Sequence, residues 1–239
     1  MRTVVITGGA NGIGRGVAEY LADRQWRCIL LDTDETGQAA AADTGGAFYP
    51  VDVTDDRALR ATFADIAARY GAVRGLVNSA GLTRVGPSEE LSAADWRTVI
   101  DVDLSGTFYS CQAAYPHLEP GAGIVNVASI AAVRALPGRA AYTAAKFGVV
   151  GLTRVLAAEW AHRPVRVNAV GPAWTRTPFL ADLVSAGSLS EADLTGRIPL
   201  GRLSEASDVA AAVAFLLGDE ASFITGQTIF VDGGYTWSG

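Results

Sequence analysis

Tyr142 and Lys146 stand four residues apart in the segment AAYTAAKFGVV, residues 140–150. Positions i and i+4 of a helix share a face, so the phenol and the ammonium point the same way. A free phenol titrates near ~10 and is a poor base at neutral pH, but a neighbouring positive charge favours its ionised form. The spacing therefore predicts a site of acid–base chemistry. The alternative is structural: a buried tyrosine beside a lysine whose ammonium reaches solvent.

Ser129 is a third candidate, because it ends the apolar run GIVNVAS, residues 123–129. Open α/β sheets bind ligands beyond the carboxyl ends of their strands, which is where this serine would lie. Its hydroxyl could hold a substrate oxygen across a cleft from Tyr142. The serine, the tyrosine and Lys146 together predict a proton relay beside a hydride acceptor.

Strand-like and helix-like segments alternate along the whole chain. Short runs rich in Val and Ile predict strands at residues 2–7, 27–32, 47–53, 74–80, 123–129, 165–170 and 228–233. They hardly alternate between apolar and polar residues, as expected for strands that are covered on both faces. We predict an α/β fold in which residues 1–239 form a single Rossmann-type domain, a doubly wound parallel sheet of about seven strands with helices on both faces. Residues 172–203 break the alternation and predict a substrate lid.

Bulk properties exclude several classes of partner. The 239 residues carry a net charge of −6, whereas a nucleic-acid partner demands a basic face, so none is expected. Uncharged stretches are shorter than the ~20 residues of a membrane span, and no signal peptide precedes the first strand, which predicts a cytoplasmic protein away from membranes. Cys28 and Cys111 lie in apolar runs and are predicted to be core residues. His117 and His162 lack metal-ligand neighbours, so no metal is expected.

A glycine-rich turn follows the first strand in ITGGANGIGRG, residues 6–16. Gly8, Gly12 and Gly14 would let the backbone turn tightly and approach a pyrophosphate at the N-terminus of the next helix. Asp32 closes the second strand 18 residues beyond Gly14, near the spacing expected for an acid that binds a ribose. Its carboxylate would accept from both ribose hydroxyls but repel a 2′-phosphate, so NAD is predicted over NADP. The alternative for Asp32 is a solvated turn residue.

With these residues assembled, the chain resembles the classical short-chain dehydrogenase/reductase family over essentially its whole length. The resemblance rests on TGGANGIG at 7–14, DV at 52–53, NSAG at 78–81, a Ser 13 residues before Tyr-x3-Lys, and a Pro-containing loop after the sixth strand. It implies that Tyr142 is the general acid/base, that Ser129 orients the carbonyl or alcohol, and that Lys146 binds the nicotinamide ribose. The predicted cofactor-binding residues are Gly8, Asn11, Gly12, Ile13, Gly14, Asp32, Asp52, Val53, Asn78, Ala80, Gly81, Tyr142, Lys146, Pro172, Thr175 and Thr177.

The chain departs from the family pattern in the turn at Ser79, in the loop at Ala173 and Thr175, and at Asp103. Asp103, in VIDVDLSGTF, stands where the family has a catalytic Asn whose backbone carbonyl is thought to hold a water linking the lysine to solvent. An Asp can keep this backbone role, and its carboxylate would stabilise Lys146 as a cation. We include Asp103 among the catalytic candidates and expect a small effect of its carboxylate, because a carboxylate at this depth needs solvent or other donors to stay charged.

The predicted activity is the NAD-dependent interconversion of a secondary alcohol and a ketone by hydride transfer. Within enzymes, the alternative is a 3-oxoacyl-thioester (acyl carrier protein) reductase. Outside enzymes, the alternative is a cofactor-sensing protein on the same fold. The expected partner is a small-molecule alcohol or ketone, and the resemblance implies a homo-oligomer, either a tetramer or a dimer.

Two arginines and an apolar group surround the predicted pocket. Arg134 and Arg139 lie between Ser129 and Tyr142, and we expect solvated or interface charges there rather than an anion site. The apolar group either walls the pocket or packs the lid; it consists of Trp174, Phe179, Leu180 and Leu183.

Overall fold

One parallel β-sheet forms the centre of the protein in a computed structural model that describes residues 1–185, 187 and 190–237. The described strands are β1 (Arg2–Thr7), β2 (Trp26–Asp32), β3 (Ala47–Pro50), β4 (Val73–Asn78), β5 (Leu118–Val127), β6 (Arg166–Pro172) and β7 (Thr228–Val231). All their pairings are parallel, in the order β3-β2-β1-β4-β5-β6-β7. The predicted seven-stranded sheet is thereby confirmed.

Helices cover both faces of this sheet. The described α-helices are α1 (Gly12–Ala22), α2 (Gly37–Asp43), α3 (Asp56–Tyr70), α4 (Ala93–Ile100), α5 (Gly106–Ala114), α6 (Ala140–Trp160), α7 (Pro178–Ser185), α8 (Glu191–Gly196) and α9 (Ala206–Leu217). Successive side chains of a strand point to opposite faces, so Val4 packs with α1 and α9, whereas Val5 packs with α3, α5 and α6. Each strand is therefore apolar on both sides, as its sequence indicates.

A π-helical turn, Asp101–Ser105, separates α4 from α5. Residues 92–95, SAAD, resemble a capping box with Asp in place of the usual Glu and predict a helix start; the start is confirmed, because the Ser92 side chain accepts a hydrogen bond from the Asp95 N–H. The same pattern predicts one unbroken helix to about Tyr115, which is wrong. A single five-residue turn is too short for apolar periodicity to distinguish from an α-helical turn, so the sequence does not reveal it. Such turns are frequent at functional sites, and this one buries Asp103 completely.

The crevice for a ligand follows from the strand order. The chain builds β1, β2 and β3 outward in one direction and then returns to place β4 on the other side of β1. At such a reversal the loops at the carboxyl ends diverge and leave a crevice. The predicted lid, residues 172–203, contains α7 and α8 where it is described; residues 186, 188 and 189 lie outside the described residues. No helix in the described part of the chain combines the length and apolar character that crossing a membrane requires.

Candidate active site

A cavity of about 560 Å³ lies at the carboxyl edge of the sheet. It collects side chains and backbone from the ends of β1, β2, β4, β5 and β6, from the start of α6 and from the lid. The predicted site residues that line it are Gly8, Asn11, Gly12, Ile13, Asp32, Asp52, Val53, Ala80, Gly81, Ser129, Tyr142, Lys146, Pro172, Thr175 and Thr177. Segments far apart in the sequence thus meet around one space.

The glycine turn joins β1 to α1 through two close backbone approaches. Gly8 has φ +65°, and a Cβ there would lie 2.7 Å from the backbone N of Ala80. A Cβ on Gly14 would lie 2.1 Å from the carbonyl oxygen of Gly8. Gly14 is therefore needed for the close packing of the helix on the turn, and its contact with a pyrophosphate stays a prediction.

Asp32 lies at the acidic end of the cavity. Its Oδ2 accepts from the Ala10 N–H at 3.0 Å, and its Oδ1 accepts from the Asp34 N–H at 3.1 Å. Asp34 also lines the cavity, and hydrogen bonds from Thr36 and Asn11 hold the pKa of its carboxyl below its ordinary value. This end of the cavity is consequently anionic.

Ser129, Tyr142 and Lys146 face the same cavity from β5 and α6. The Ser129 hydroxyl lies just beyond β5 and accepts from the Ala131 N–H at 3.1 Å, which leaves its own proton available to another acceptor. Lys146 is buried and donates from Nζ to the Val127 carbonyl at 3.1 Å. Its Nζ lies 5.4 Å from the centroid of the Tyr142 ring. The backbone acceptor for Lys146 has no signal in the sequence.

Asp103 forms an ion pair with Lys146 behind the cavity surface. Its Oδ2 lies 3.2 Å from Lys146 Nζ, and its Oδ1 accepts from the Leu82 N–H at 2.8 Å. Burial raises the pKa of Asp103, while Lys146 and Leu82 oppose that rise. The Leu82 N–H is a hydrogen-bond donor to Oδ1, whereas Oδ2 has the ammonium of Lys146 as its ionic partner. Asp103 does not line the cavity; it contacts the cavity-lining Lys146 through its carboxylate.

The backbone carbonyl of Asp103 has a partner of its own. It accepts from the Thr107 hydroxyl at 2.8 Å, one turn further along the chain. The family pattern predicts a role for this carbonyl, whereas the contact between Asp103 and Lys146 in this structure is made by the side chain. The carboxylate is therefore the part of Asp103 that acts on Lys146 directly.

Asn78 lies behind the cavity rather than on its surface. Its amide donates to Asn126 Oδ1 at 2.8 Å and to Cys111 Sγ at 3.1 Å. Asn126 in turn donates to the Thr153 hydroxyl at 2.9 Å. The side chain of Asn78 thus points toward α5 and, through Asn126, links β4 and β5 to α6; its contact with a cofactor stays a prediction.

Arg139 departs most from its predicted environment. It is only 6% exposed and lines the cavity, and its Cζ lies 5.0 Å from the centroid of the Trp174 ring. Arg134, by contrast, donates to the carbonyl of Tyr235 at 2.8 Å. The expectation of a solvated charge is wrong for Arg139. The sequence did contain a signal for this position: Arg139 stands three residues before Tyr142, and residues three apart at a helix start lie on the same side.

The apolar group around the lid is partly described. Trp174 and Leu180 line the cavity and also belong to an apolar cluster with Ile130. They therefore wall the pocket and pack the lid at once. The side chains of Phe179 and Leu183 lie outside the described part of the structure.

Comparisons with known proteins extend over nearly the whole chain. A family model described as enoyl-(acyl carrier protein) reductase matches residues 8–236. The D-threitol dehydrogenase of Mycolicibacterium smegmatis is 42% identical over 98% of this chain and 93% of its own length. The cis-4-hydroxycyclohexanecarboxylate dehydrogenase of Sinomonas cyclohexanicum is 39% identical over 98% of this chain and 96% of its own. Among solved structures, ElxO with NADP bound has a TM-score of 0.91 at 28% identity, covering 98% of each chain.

The fold and these matches define the class of the protein as nicotinamide-dependent oxidoreductase. The chain belongs to the short-chain dehydrogenase/reductase family. The family resemblance that the sequence motifs predict is confirmed. The choice between NAD and NADP, the substrate and the roles of individual residues are proposals.

Proposed function

We propose that the protein is an NAD-dependent dehydrogenase that interconverts a secondary alcohol and a ketone. The observation that carries the proposal is the meeting of Ser129, Tyr142 and Lys146 in one cavity with the glycine turn. The named relatives are dehydrogenases of alcohols, one a neutral polyol and one a hydroxy acid. A secondary alcohol is the group that these substrates have in common.

The residues of the first βα turn fit a nicotinamide cofactor. Helix α1 begins at Gly12 with no side-chain cap, so its first N–H groups are available to a pyrophosphate. A Cβ on Gly12 would lie 3.6 Å from Thr177 Cγ2, which brings the base of the lid against the turn. Asp32 would hold the adenosine ribose. The bound cofactor would supply the hydride acceptor in oxidation and the hydride donor in reduction.

The protein's own residues would handle the proton. In oxidation the phenolate of Tyr142 takes the proton of the substrate hydroxyl, and in reduction the phenol returns it to the ketone oxygen. The Ser129 hydroxyl holds the same substrate oxygen. The ammonium of Lys146, fixed by Val127 and Asp103, would hold the nicotinamide ribose beside Tyr142.

NAD preference is the first expected result of this proposal. Asp32 and Asp34 line one end of the cavity, and the cations lining it in the described part of the chain are Lys146 and Arg139. A 2′-phosphate beside Asp32 would meet a like charge, which costs several kcal/mol. We expect kcat/KM for NAD to exceed that for NADP by roughly 100-fold.

The double variant Asp32→Ala/Thr33→Arg tests this argument. Removing the carboxylate and adding a cation should lower kcat/KM for NAD and raise it for NADP, so that their ratio falls at least tenfold. Asp23→Asn removes one exposed carboxylate away from the cavity and should keep the wild-type ratio. A wild-type enzyme that uses both cofactors equally well would refute the electrostatic argument.

The alternatives make different demands on the site. A cofactor-sensing protein could dispense with Ser129, Tyr142 and Lys146, and the presence of all three in the cavity favours an enzyme. The matching family model is described as an enoyl-(acyl carrier protein) reductase, which shares the acyl carrier with the 3-oxoacyl-thioester alternative but reduces a different bond. A screen of secondary alcohols, cyclic diols and polyols against a 3-oxoacyl thioester, followed by NADH absorbance, distinguishes the two activities. Turnover of the thioester alone would replace the proposal by this alternative.

We further propose a homo-oligomer, a tetramer or a dimer, that buries the outer face of α6. Phe147, Gly151 and Val155 lie at helical spacing on that face, and Phe147 and Val155 are 51% and 53% exposed. Phe147→Glu should shift the sedimentation of a micromolar sample toward the monomer. Gln38→Glu adds the same charge at an exposed position of α2 and should leave the oligomer intact. A monomeric wild-type protein would contradict the proposal.

A further inference from the structure

Arg139 is a buried cation that has no counter-ion in the described part of the chain. Only 6% of the residue's surface is exposed. Among the described residues its guanidinium has no ion pair and no hydrogen bond. Arg166, the other buried arginine of the described chain, differs: it donates to the carbonyls of Leu216, Leu217 and Gly218. Where a buried guanidinium joins parts of the fold, as at Arg166, backbone carbonyls accept its hydrogen bonds.

The surroundings of Arg139 leave its N–H donors unmet. Burial lowers the pKa of Arg139, and the nearby Tyr142 opposes that change. The guanidinium carbon of Arg139 lies 5.0 Å from the centroid of the Trp174 ring. A ring in this position contacts one face of the guanidinium plane, but the five N–H groups point outward within that plane and still need acceptors. The Trp174 Nε1–H is itself buried without an acceptor among the described residues. Two donor groups without an acceptor among the described residues therefore lie together: the buried indole N–H of Trp174 and the guanidinium of Arg139, which lines the cavity.

An uncompensated buried charge is costly, so a site of this kind indicates an anionic ligand. Arg139 and Tyr142 stand three residues apart at the start of α6, which places the guanidinium beside the proposed acid–base group. The acidic residues that line the cavity lie elsewhere: Asp32 ends β2, and Asp34 and Asp52 lie in the loops after β2 and β3. The cavity is thus cationic where the substrate would react and anionic where the adenosine would bind.

We propose that Arg139 binds a carboxylate of the substrate, so that the enzyme oxidises hydroxy acids and reduces the matching keto acids. The inference rests on the proposed dehydrogenase function and names its substrate class. One guanidinium matches one carboxylate in charge and in its pair of parallel hydrogen bonds. The apolar residues Leu136, Ile130 and Leu180 would contact the carbon skeleton between the carboxylate and the reacting hydroxyl.

Matched substrates test the proposal through selectivity. We expect wild-type kcat/KM for cis-4-hydroxycyclohexanecarboxylate to exceed that for the corresponding carboxamide by roughly 100-fold, because the two differ in charge and hardly in shape. Arg139→Gln should lower this ratio at least tenfold, mainly through KM of the carboxylate. Arg139→Lys should retain part of the preference. Arg134→Gln, in the same loop but bonded to Tyr235, should keep the wild-type ratio.

Calorimetric binding of cyclohexanecarboxylate to the NAD-loaded protein separates this inference from the proposed activity. Binding that exceeds that of cyclohexanecarboxamide and weakens in Arg139→Gln supports the carboxylate site, even if no alcohol is oxidised. An enzyme that oxidises alcohols but shows no carboxylate preference, in turnover or in binding, overturns the site and leaves the dehydrogenase function standing. If Arg139→Gln does not fold, the wild-type and Arg139→Lys comparisons decide in the same way.

Discussion

Tyr142→Phe is expected to lower kcat for alcohol oxidation by roughly 100-fold or more, which is the usual contribution of a general acid–base group. The substitution keeps the ring that lines the cavity and deletes the oxygen that would take the substrate proton. NAD binding should persist, because the glycine turn and Asp32 are untouched. Stopped-flow or steady-state NADH absorbance measures the rate, and calorimetry measures NAD binding.

Tyr115→Phe is the matched control for this variant. Tyr115 stacks on Trp160 with ring centroids 4.5 Å apart, and it does not line the cavity. Loss of its hydroxyl should leave kcat near the wild-type value. Turnover of Tyr142→Phe at the same level as Tyr115→Phe would remove Tyr142 from the proposed mechanism and return it to the structural role of a buried tyrosine.

Asp103→Leu is expected to lower the free energy of unfolding by about 3–5 kcal/mol, because breaking a buried ion pair leaves the other charge uncompensated. Lys146 would lose the carboxylate at 3.2 Å, and the Leu82 N–H would lose its acceptor. Asp103→Asn should cost less, since an amide oxygen can still accept from Leu82. Urea unfolding of the wild type and both variants measures the differences.

Asp101→Leu and Asp101→Asn serve as controls in the same π-helical turn. Asp101 is exposed, so both variants should stay within about 0.5 kcal/mol of the wild type. If Asp103→Leu unfolds at the same urea concentration as Asp101→Leu, the ion pair contributes nothing to stability. Asp103 would then be a passive replacement of the usual Asn.

The same ion pair predicts a pH dependence of stability. Burial disfavours the ammonium of Lys146, but Asp103 and Tyr142 more than offset this, so the pKa of Lys146 is raised above its ordinary value. A raised lysine pKa contributes stability that is complete below the unfolded-state value and is lost as the pH rises through the folded-state value. The stability difference between the wild type and Asp103→Asn should therefore narrow at alkaline pH. A difference that stays constant would assign Asp103 a role other than pairing with Lys146.

Much of the fold and site follows from the sequence by itself. A parallel strand buried on both faces needs a continuous apolar run, so each strand of the sheet is visible locally. Tyr142 and Lys146 share a face because they stand four apart on α6, whatever packs around them. Ser129 and Asp32 lie at the ends of strands, and parallel strands bring their carboxyl ends to one edge.

Only the tertiary structure decides which charged side chains form ion pairs and which are buried without one. Asp103 meets Lys146 because α6 packs beside a π-helical turn that the apolar spacing does not reveal. Arg139 is buried because Trp174, from the loop after β6, covers it. Periodicity reports neighbours along the chain, whereas burial and ion pairing depend on which distant segments occupy the same space. For that reason the sequence is enough to predict the proposed proton-transfer residues, whereas the fold determines the counter-ion of Lys146 and the burial of Arg139 at the wall of the cavity.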